Sequence, residues 1–276
     1  MNVISAAETE RRSISAQVWY RPTFSPEHGV YVVLLGSFLT GAAAAQAWNL
    51  PTTLAMACAF LGFQAEHPLV LQIKQRKSLK PRFLVWASLY GGIALAIASY
   101  LFLQVPLLGW IYLGAIAALL VDGISVFYRE QKSIANEIVT FAAVCLAAPL
   151  AYAATTGMLS NTAIGLWMLD TLFFCCTIFT VKLRKPKTSS ITPVLVYHAI
   201  AVAIVAGLYG FSVLPPIAAL AFGVAILKLG LVLWQQEWYR NAAIGWVAML
   251  ETLTAIVFLG IISLSLLPVH LTSPIP

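Results

Sequence analysis

The sequence predicts an all-α, polytopic membrane protein of about nine transmembrane helices, on three observations. First, 61% of its 276 residues are hydrophobic and only 9% are charged, against roughly 25% charged in soluble domains. Second, apolar runs of membrane-spanning length recur from Val30 to Leu267. A bilayer offers the backbone no water, so each run must close its own hydrogen bonds as a helix. Third, the basic residues fall on alternate links between the runs, which orients them across a membrane.

The elements follow in order. Residues 1–27 read as a polar cytoplasmic tail without the apolar core of a signal peptide. Within it, Val18, Trp19 and Tyr20 suit the lipid interface. Nine spans are expected at about 28–47, 52–73, 83–104, 107–128, 134–154, 162–182, 193–212, 215–235 and 241–266. Each holds about 20 residues, enough for roughly 30 Å of hydrocarbon. Together residues 28–267 form one transmembrane domain, and residues 268–276 are a short non-cytoplasmic tail. Ser25-Pro26-Glu27 gives span 1 a cap, a first-turn proline and an acid; Thr192-Pro193 repeats the first two for span 7, and Ser133 caps span 5.

Charge fixes the orientation. The tail and the links after spans 2, 4, 6 and 8 share one side and hold fifteen of the sixteen Lys and Arg residues. The opposite links hold none, and the sixteenth, Lys228, lies within span 8. The positive-inside rule therefore places the N-terminus in the cytoplasm and the C-terminus outside. Trp48, Trp86, Trp110, Trp167, Trp234 and Trp246 sit near span ends, as interfacial belts require. The net charge of +6 is thus topological, and no nucleic-acid partner is expected. Cys58, Cys145, Cys175 and Cys176 lie inside apolar runs and read as packing residues. No metal or other cofactor is expected, because no helical H-E-x-x-H, phosphate loop, G-x-S-x-G or paired-cysteine motif occurs.

Ionisable groups inside spans are costly and usually face a bundle interior or a wet cavity. Here they are His28, Glu66, His67, Asp122, Glu137, Asp170, His198, Lys228 and Glu251. All but Asp170 and Glu251 fall in the cytoplasmic half. The bland reading is local pairing that orders the bundle, with Lys228 snorkelling to the interface. The sharper one is a polar cavity open to the cytoplasm. Its candidate catalytic residues are Glu66, His67 and Glu137, with Glu66 or Glu137 as proton acceptor. Its candidate ligand-binding residues are His28, Asp122, His198 and Lys228, with Arg76, Arg82, Arg129 and Arg184 at the mouth. A basic mouth over apolar walls suits a lipid or isoprenoid with an anionic head, and the same basic links suit anionic lipid head groups.

Three stretches resemble the YwiC-like family of bacterial membrane proteins: Pro26-Glu27-His28-Gly29, Glu66-His67-Pro68-Leu69, and Asn136-Glu137 with Ala147-Ala148-Pro149. The resemblance implies a bacterial cytoplasmic membrane, or an internal one such as a thylakoid, and carries no particular activity. A more distant likeness is to the UbiA-type intramembrane prenyltransferases, to which Arg21-Pro22 ahead of span 1 is similar. It implies a single UbiA-like bundle with a cytoplasm-facing cavity. Those enzymes hold Mg²⁺ and a diphosphate on aspartate-rich motifs near helices 2 and 6. Here the matching regions read Glu66-His67-Pro68 to Arg76, and Thr180-Val181-Lys182-Leu183-Arg184-Lys185. Cations there attract phosphate but repel Mg²⁺.

The sequence therefore favours a protein that binds a lipophilic, anionic-headed ligand. If it is an enzyme, it is a divergent lipid-modifying transferase. Two alternatives stay open: a transporter built on Asp170 and Glu251, or a non-enzymatic scaffold. Oligomeric state is not set by the sequence.

Overall fold

The structure is a computed structural model that describes residues 21–26, 28–76, 78–185, 188 and 190–267, the side chain of His28 excepted. The described residues form twelve helices: α1 (His28–Ala45), α2 (Leu50–Lys74), α3 (Pro81–Gln104), α4 (Leu108–Tyr128), α5 (Ile134–Cys145), α6 (Ala147–Thr156), α7 (Asn161–Lys182), α8 (Thr192–Gly210), α9 (Pro216–Ala221), α10 (Gly223–Trp234), α11 (Gln236–Asn241) and α12 (Ile244–Leu266). Eight segments are long and apolar enough to cross a membrane, counting α5 with α6 and α9 with α10. The apolar α1 occupies the place of the first expected span. The chain is thus an all-α integral membrane protein; among the described residues eight of the nine expected spans reach membrane-crossing length, and the first is a shorter apolar helix.

The two composite spans break for local reasons. Pro149 has no N–H to bond the Cys145 carbonyl, and its ring crowds that carbonyl. The chain tightens there, with Leu146 N donating to Ala143 O at 3.1 Å. A similar turn separates α9 from α10, where Phe222 N donates to Ala219 O at 3.2 Å. Pro68, by contrast, lies inside an α2 that runs on to Lys74.

Caps decide the helix starts. Asn49 and Thr52 form a reciprocal capping box on α2, Ser133 accepts from Asn136 N, and Ser160 accepts from Ala163 N. The expected Thr192 cap is corrected: Thr192 is already inside α8, and Ile191 precedes it with no side-chain bond. Proline at the first turn pre-sets φ and makes that bond dispensable. Span 9 starts at Ile244 rather than 241, because α11 uses residues 236–241 first.

Packing centres on α7, the span with the largest buried share, whereas α4 keeps most of its apolar surface for lipid. Phe173 on α7 stacks on Phe258 of α12 with centroids 3.7 Å apart, and Phe174 on α7 stacks on Phe141 of α5 at 6.4 Å. α1 approaches α6 so closely that a Cβ on Gly41 would sit 1.9 Å from the Ala148 carbonyl oxygen. α2 pairs with α3, and α1 packs on α12.

The approach to α1 is pinned by a ring of three hydrogen bonds. Ser25 N donates to Gln64 Oε1 at 3.2 Å, Gln64 Nε2 donates to the Tyr31 hydroxyl at 2.6 Å, and that hydroxyl donates to Ser25 O at 3.0 Å. Arg82 Nε adds a bond to Arg21 O at 3.0 Å.

Candidate functional site

A cavity of about 210 Å³ lies among α1, α5, α7 and α12. Gly29 and Val30 in the first turn of α1 form its rim, Val33 and Phe141 its sides, Phe173 and Phe174 its floor, and Thr177 with Glu251 its polar wall. Its elements follow from the sequence: α1 brings small and β-branched residues, while α7 brings adjacent phenylalanines and then a threonine one turn nearer the basic end.

The polar wall is a buried charge network. Lys228 Nζ donates to Glu251 Oε2 at 2.7 Å, and the lysine side chain is fully buried. Thr177 Oγ1 donates to the same oxygen at 2.7 Å. Glu251 Oε1 accepts from Thr180 Oγ1 at 3.3 Å and from the Tyr239 hydroxyl at 3.4 Å. Lys228 Nζ also lies 3.4 Å from Thr177 Oγ1 and 5.5 Å from the Phe173 ring centre. The carboxylate thus meets Lys228, Thr177 and Tyr239 as donors, with the single Thr180 proton shared between it and the Cys176 and Thr177 carbonyls. The ammonium meets a counter-charge, a hydroxyl and a π face, which offsets much of their desolvation. Burial, and then the charge of Glu251, raise the Tyr239 phenol above its ordinary value, so it remains a donor.

Two expectations are corrected here. Lys228 does not snorkel: its nitrogen is spent on Glu251 and Thr177. Glu251 is not a midplane residue. It lies seven residues into α12, about 10 Å from that helix end, and Lys228 lies six residues from the end of α10, about 9 Å. The two depths match because both helix ends belong to the basic side of the bundle.

The other sequence candidates are distributed around this centre. Glu137 pairs with Lys182, whose Nζ also donates to Lys132 O at 3.3 Å. Glu137 is four residues before the cavity residue Phe141 and so shares its face, one turn nearer the basic end. Asp122 accepts from Asn136 Nδ2 at 2.8 Å and ties α4 to α5. His198 on α8 is buried; its Nδ1 lies 2.8 Å from Val194 O, and since a carbonyl only accepts, Nδ1 carries the proton. Among the described residues its buried Nε2 has no hydrogen-bond partner. Glu66 and His67 are half-buried on α2, which packs on α1, α3, α4 and α6, and neither lines the cavity.

Of the arginines, Arg76 lies 4.7 Å above the Phe127 ring, and Arg129 is exposed with a left-handed backbone (φ 64°) at the end of α4. Arg82 holds Arg21 O, and Arg184 donates through Nη2 to Ala242 O. The side chain of His28 lies outside the described residues.

Sequence reasoning passed over Thr177 and Thr180. Their spacing of three puts both hydroxyls on one face of α7, near the basic end, which is a readable signal. The partnership of Lys228 with Glu251 had no such signal, because 23 residues and a turn in the chain separate them.

Comparison with known proteins adds one match. Residues 24–152 match the family model described as YwiC-like protein. That segment runs from the ring at Ser25 through α5 and most of α6. No curated protein and no solved structure matches the chain.

Proposed function

We propose that this chain, YwiC-like over residues 24–152, is an integral membrane protein that binds a lipophilic ligand with an anionic head from its basic side. The observation that carries the reading is the cavity among α1, α5, α7 and α12, apolar at Val33, Phe141, Phe173, Phe174 and Ala255 and polar at Thr177 and Glu251. Buried ionisable groups at membrane depth are functional until shown otherwise, and a stable core gains little from a buried ion pair.

The cavity rim at Gly29 and Val30 belongs to the start of α1, where unpaired backbone amides and the helix dipole favour negative charge. Lys132, Lys182 and Arg184 sit at the adjoining ends of α5 and α7. An isoprenoid or acyl tail would enter between the phenylalanines, and its phosphate or carboxylate would remain among these cations. As an enzyme it would use Glu137, one turn from Phe141 towards the basic end and paired with Lys182, as its proton acceptor. The UbiA-like architecture and the cytoplasmic orientation of the basic side belong to this proposal.

The test is lipid analysis of protein purified in mild detergent. The wild type should enrich one isoprenoid or anionic phospholipid. Ala255→Phe, which fills the cavity, should lose it, and Lys182→Ala should weaken its retention. No enrichment over bulk lipid, or full retention in Ala255→Phe, defeats the reading.

Transport is the second reading, favoured by Asp170, which lies fully buried at mid-depth on α7. Proteoliposome flux that collapses in Asp170→Asn would support it.

A further inference from the structure

Asp170 has no part in the cavity. It is 0% exposed and lies nine residues from one end of α7 and twelve from the other, about 14 and 18 Å. Among the described residues its carboxyl enters no ion pair. The groups that face it are Ser37 and Thr40 of α1, both 0% exposed, and the Cys145 thiol of α5.

The proton count at this site is informative. Thr40 Oγ1 lies 2.7 Å from the Ser37 carbonyl oxygen and 2.9 Å from Asp170 Oδ2. Both are hydrogen-bond distances, so two contacts join three oxygens. A hydroxyl has one proton, and a carbonyl has none. The shorter contact is the usual bond of a helical threonine to the carbonyl three residues back. With its proton used there, Thr40 presents only lone pairs to Asp170. The second contact then needs a proton on the carboxyl. Sharing the Thr40 proton between both acceptors is the alternative. It would leave a carboxylate at the centre of the bilayer with a shared Thr40 proton, at most the neighbouring Ser37 hydroxyl for its other oxygen, Oδ1, and no cation among the described residues; such an anion is strongly disfavoured there.

We infer that Asp170 is a proton-binding site at the centre of the bundle: the carboxylic acid donates to Thr40 Oγ1, and Thr40 donates to Ser37 O. The bound ligand is the proton itself. Its release breaks one O–H bond on Asp170 and leaves the electron pair, and hence one negative charge, between α1 and α7. The Ser37 hydroxyl can turn to that charge, but the released proton still needs water as its acceptor, and the packed site is closed to solvent. Proton release is therefore linked to separation of α1 from α7, next to the tight contact of Gly41 with Ala148. This inference does not depend on the lipid ligand.

Infrared spectroscopy of the purified protein at neutral pH tests it, taken as the difference between wild type and Asp170→Asn. The wild type should show a protonated-carboxyl C=O stretch that is missing in Asp170→Asn and moves to lower frequency in D₂O. Asparagine keeps the size and neutrality of the acid, so this variant should fold with a midpoint close to wild type. If it does not fold, Thr40→Val supplies the second arm, in which the same band should shift to the frequency of a free acid. A difference spectrum with only carboxylate bands overturns the inference. So does a melting temperature that rises with sodium over choline in the wild type and not in Asp170→Asn, which would put a metal cation where the proton is placed.

Discussion

Lys228 and Glu251 meet at 2.7 Å on different spans, with the lysine side chain wholly buried and the carboxylate on the cavity wall. Removing one charge leaves the other uncompensated, at a cost of about 3–5 kcal/mol. Lys228→Met should therefore lower the thermal midpoint in detergent sharply. Adding Glu251→Gln should recover most of the loss, because the amide oxygen still accepts from Thr180 and Tyr239. A double variant no better than the single would mean that the pair contributes nothing specific.

The Tyr239 phenol is fully buried and raised above its ordinary value, by burial first and by Glu251 second. A raised folded value contributes stability that is complete below the unfolded one and is lost as pH climbs towards the folded one. Thermal stability should fall in this alkaline range, and Tyr239→Phe should flatten the fall. At neutral pH the same change removes one long hydrogen bond, worth about 1 kcal/mol or less.

Gly41 and Gly36 both lie on α1 but predict different outcomes. At Gly41 a new Cβ meets backbone, 1.9 Å from Ala148 O; at Gly36 it meets the flexible Leu259 Cδ1 at 2.1 Å. Gly41→Ala should prevent α1 from docking on α6 and yield aggregated or rapidly degraded protein. Gly36→Ala should cost about 1–3 kcal/mol, since a side chain can move. Size-exclusion profiles of the two variants decide this.

The ring of Ser25, Gln64 and Tyr31 should control proteolysis at the Phe24–Ser25 bond. Gln64 is buried and serves both neighbours. Gln64→Leu leaves Ser25 N and the Tyr31 hydroxyl each short of one partner, a loss of about 1–3 kcal/mol. Chymotrypsin should then cut after the exposed Phe24 several-fold faster, with bundle cleavage unchanged. Equal rates would show that the ring does not hold the segment.

Orientation can be measured with the buried native cysteines replaced. Lys80→Cys on a basic link should react with an impermeant maleimide only in inverted vesicles. Phe211→Cys, in the exposed turn after α8, should react only in intact cells. The reverse pattern would invert the orientation read from charge.

The nine apolar segments and the single-sided basic links were readable because both are one-dimensional. A bilayer demands about 20 apolar residues per span, and charge cost acts on each link separately. Ser133 was readable as a cap because its partner, Asn136, is three residues away. The site was less legible. The sequence gathers Glu137, Asp122, His198 and Lys228 at one depth, but depth along a helix says nothing of which way a side chain faces once the helices are placed. Packing decided that Asp122 turns to Asn136, Glu137 to Lys182, and Lys228 to Glu251. It also decided that the cavity lies on α7 and α12, away from Glu66 and His67 on α2. Local composition thus determined that the chain spans a membrane and where its basic side lies. Which buried charges neutralise each other, and which remain alone, depended on helix rotation and neighbours, quantities that exist only after the spans assemble.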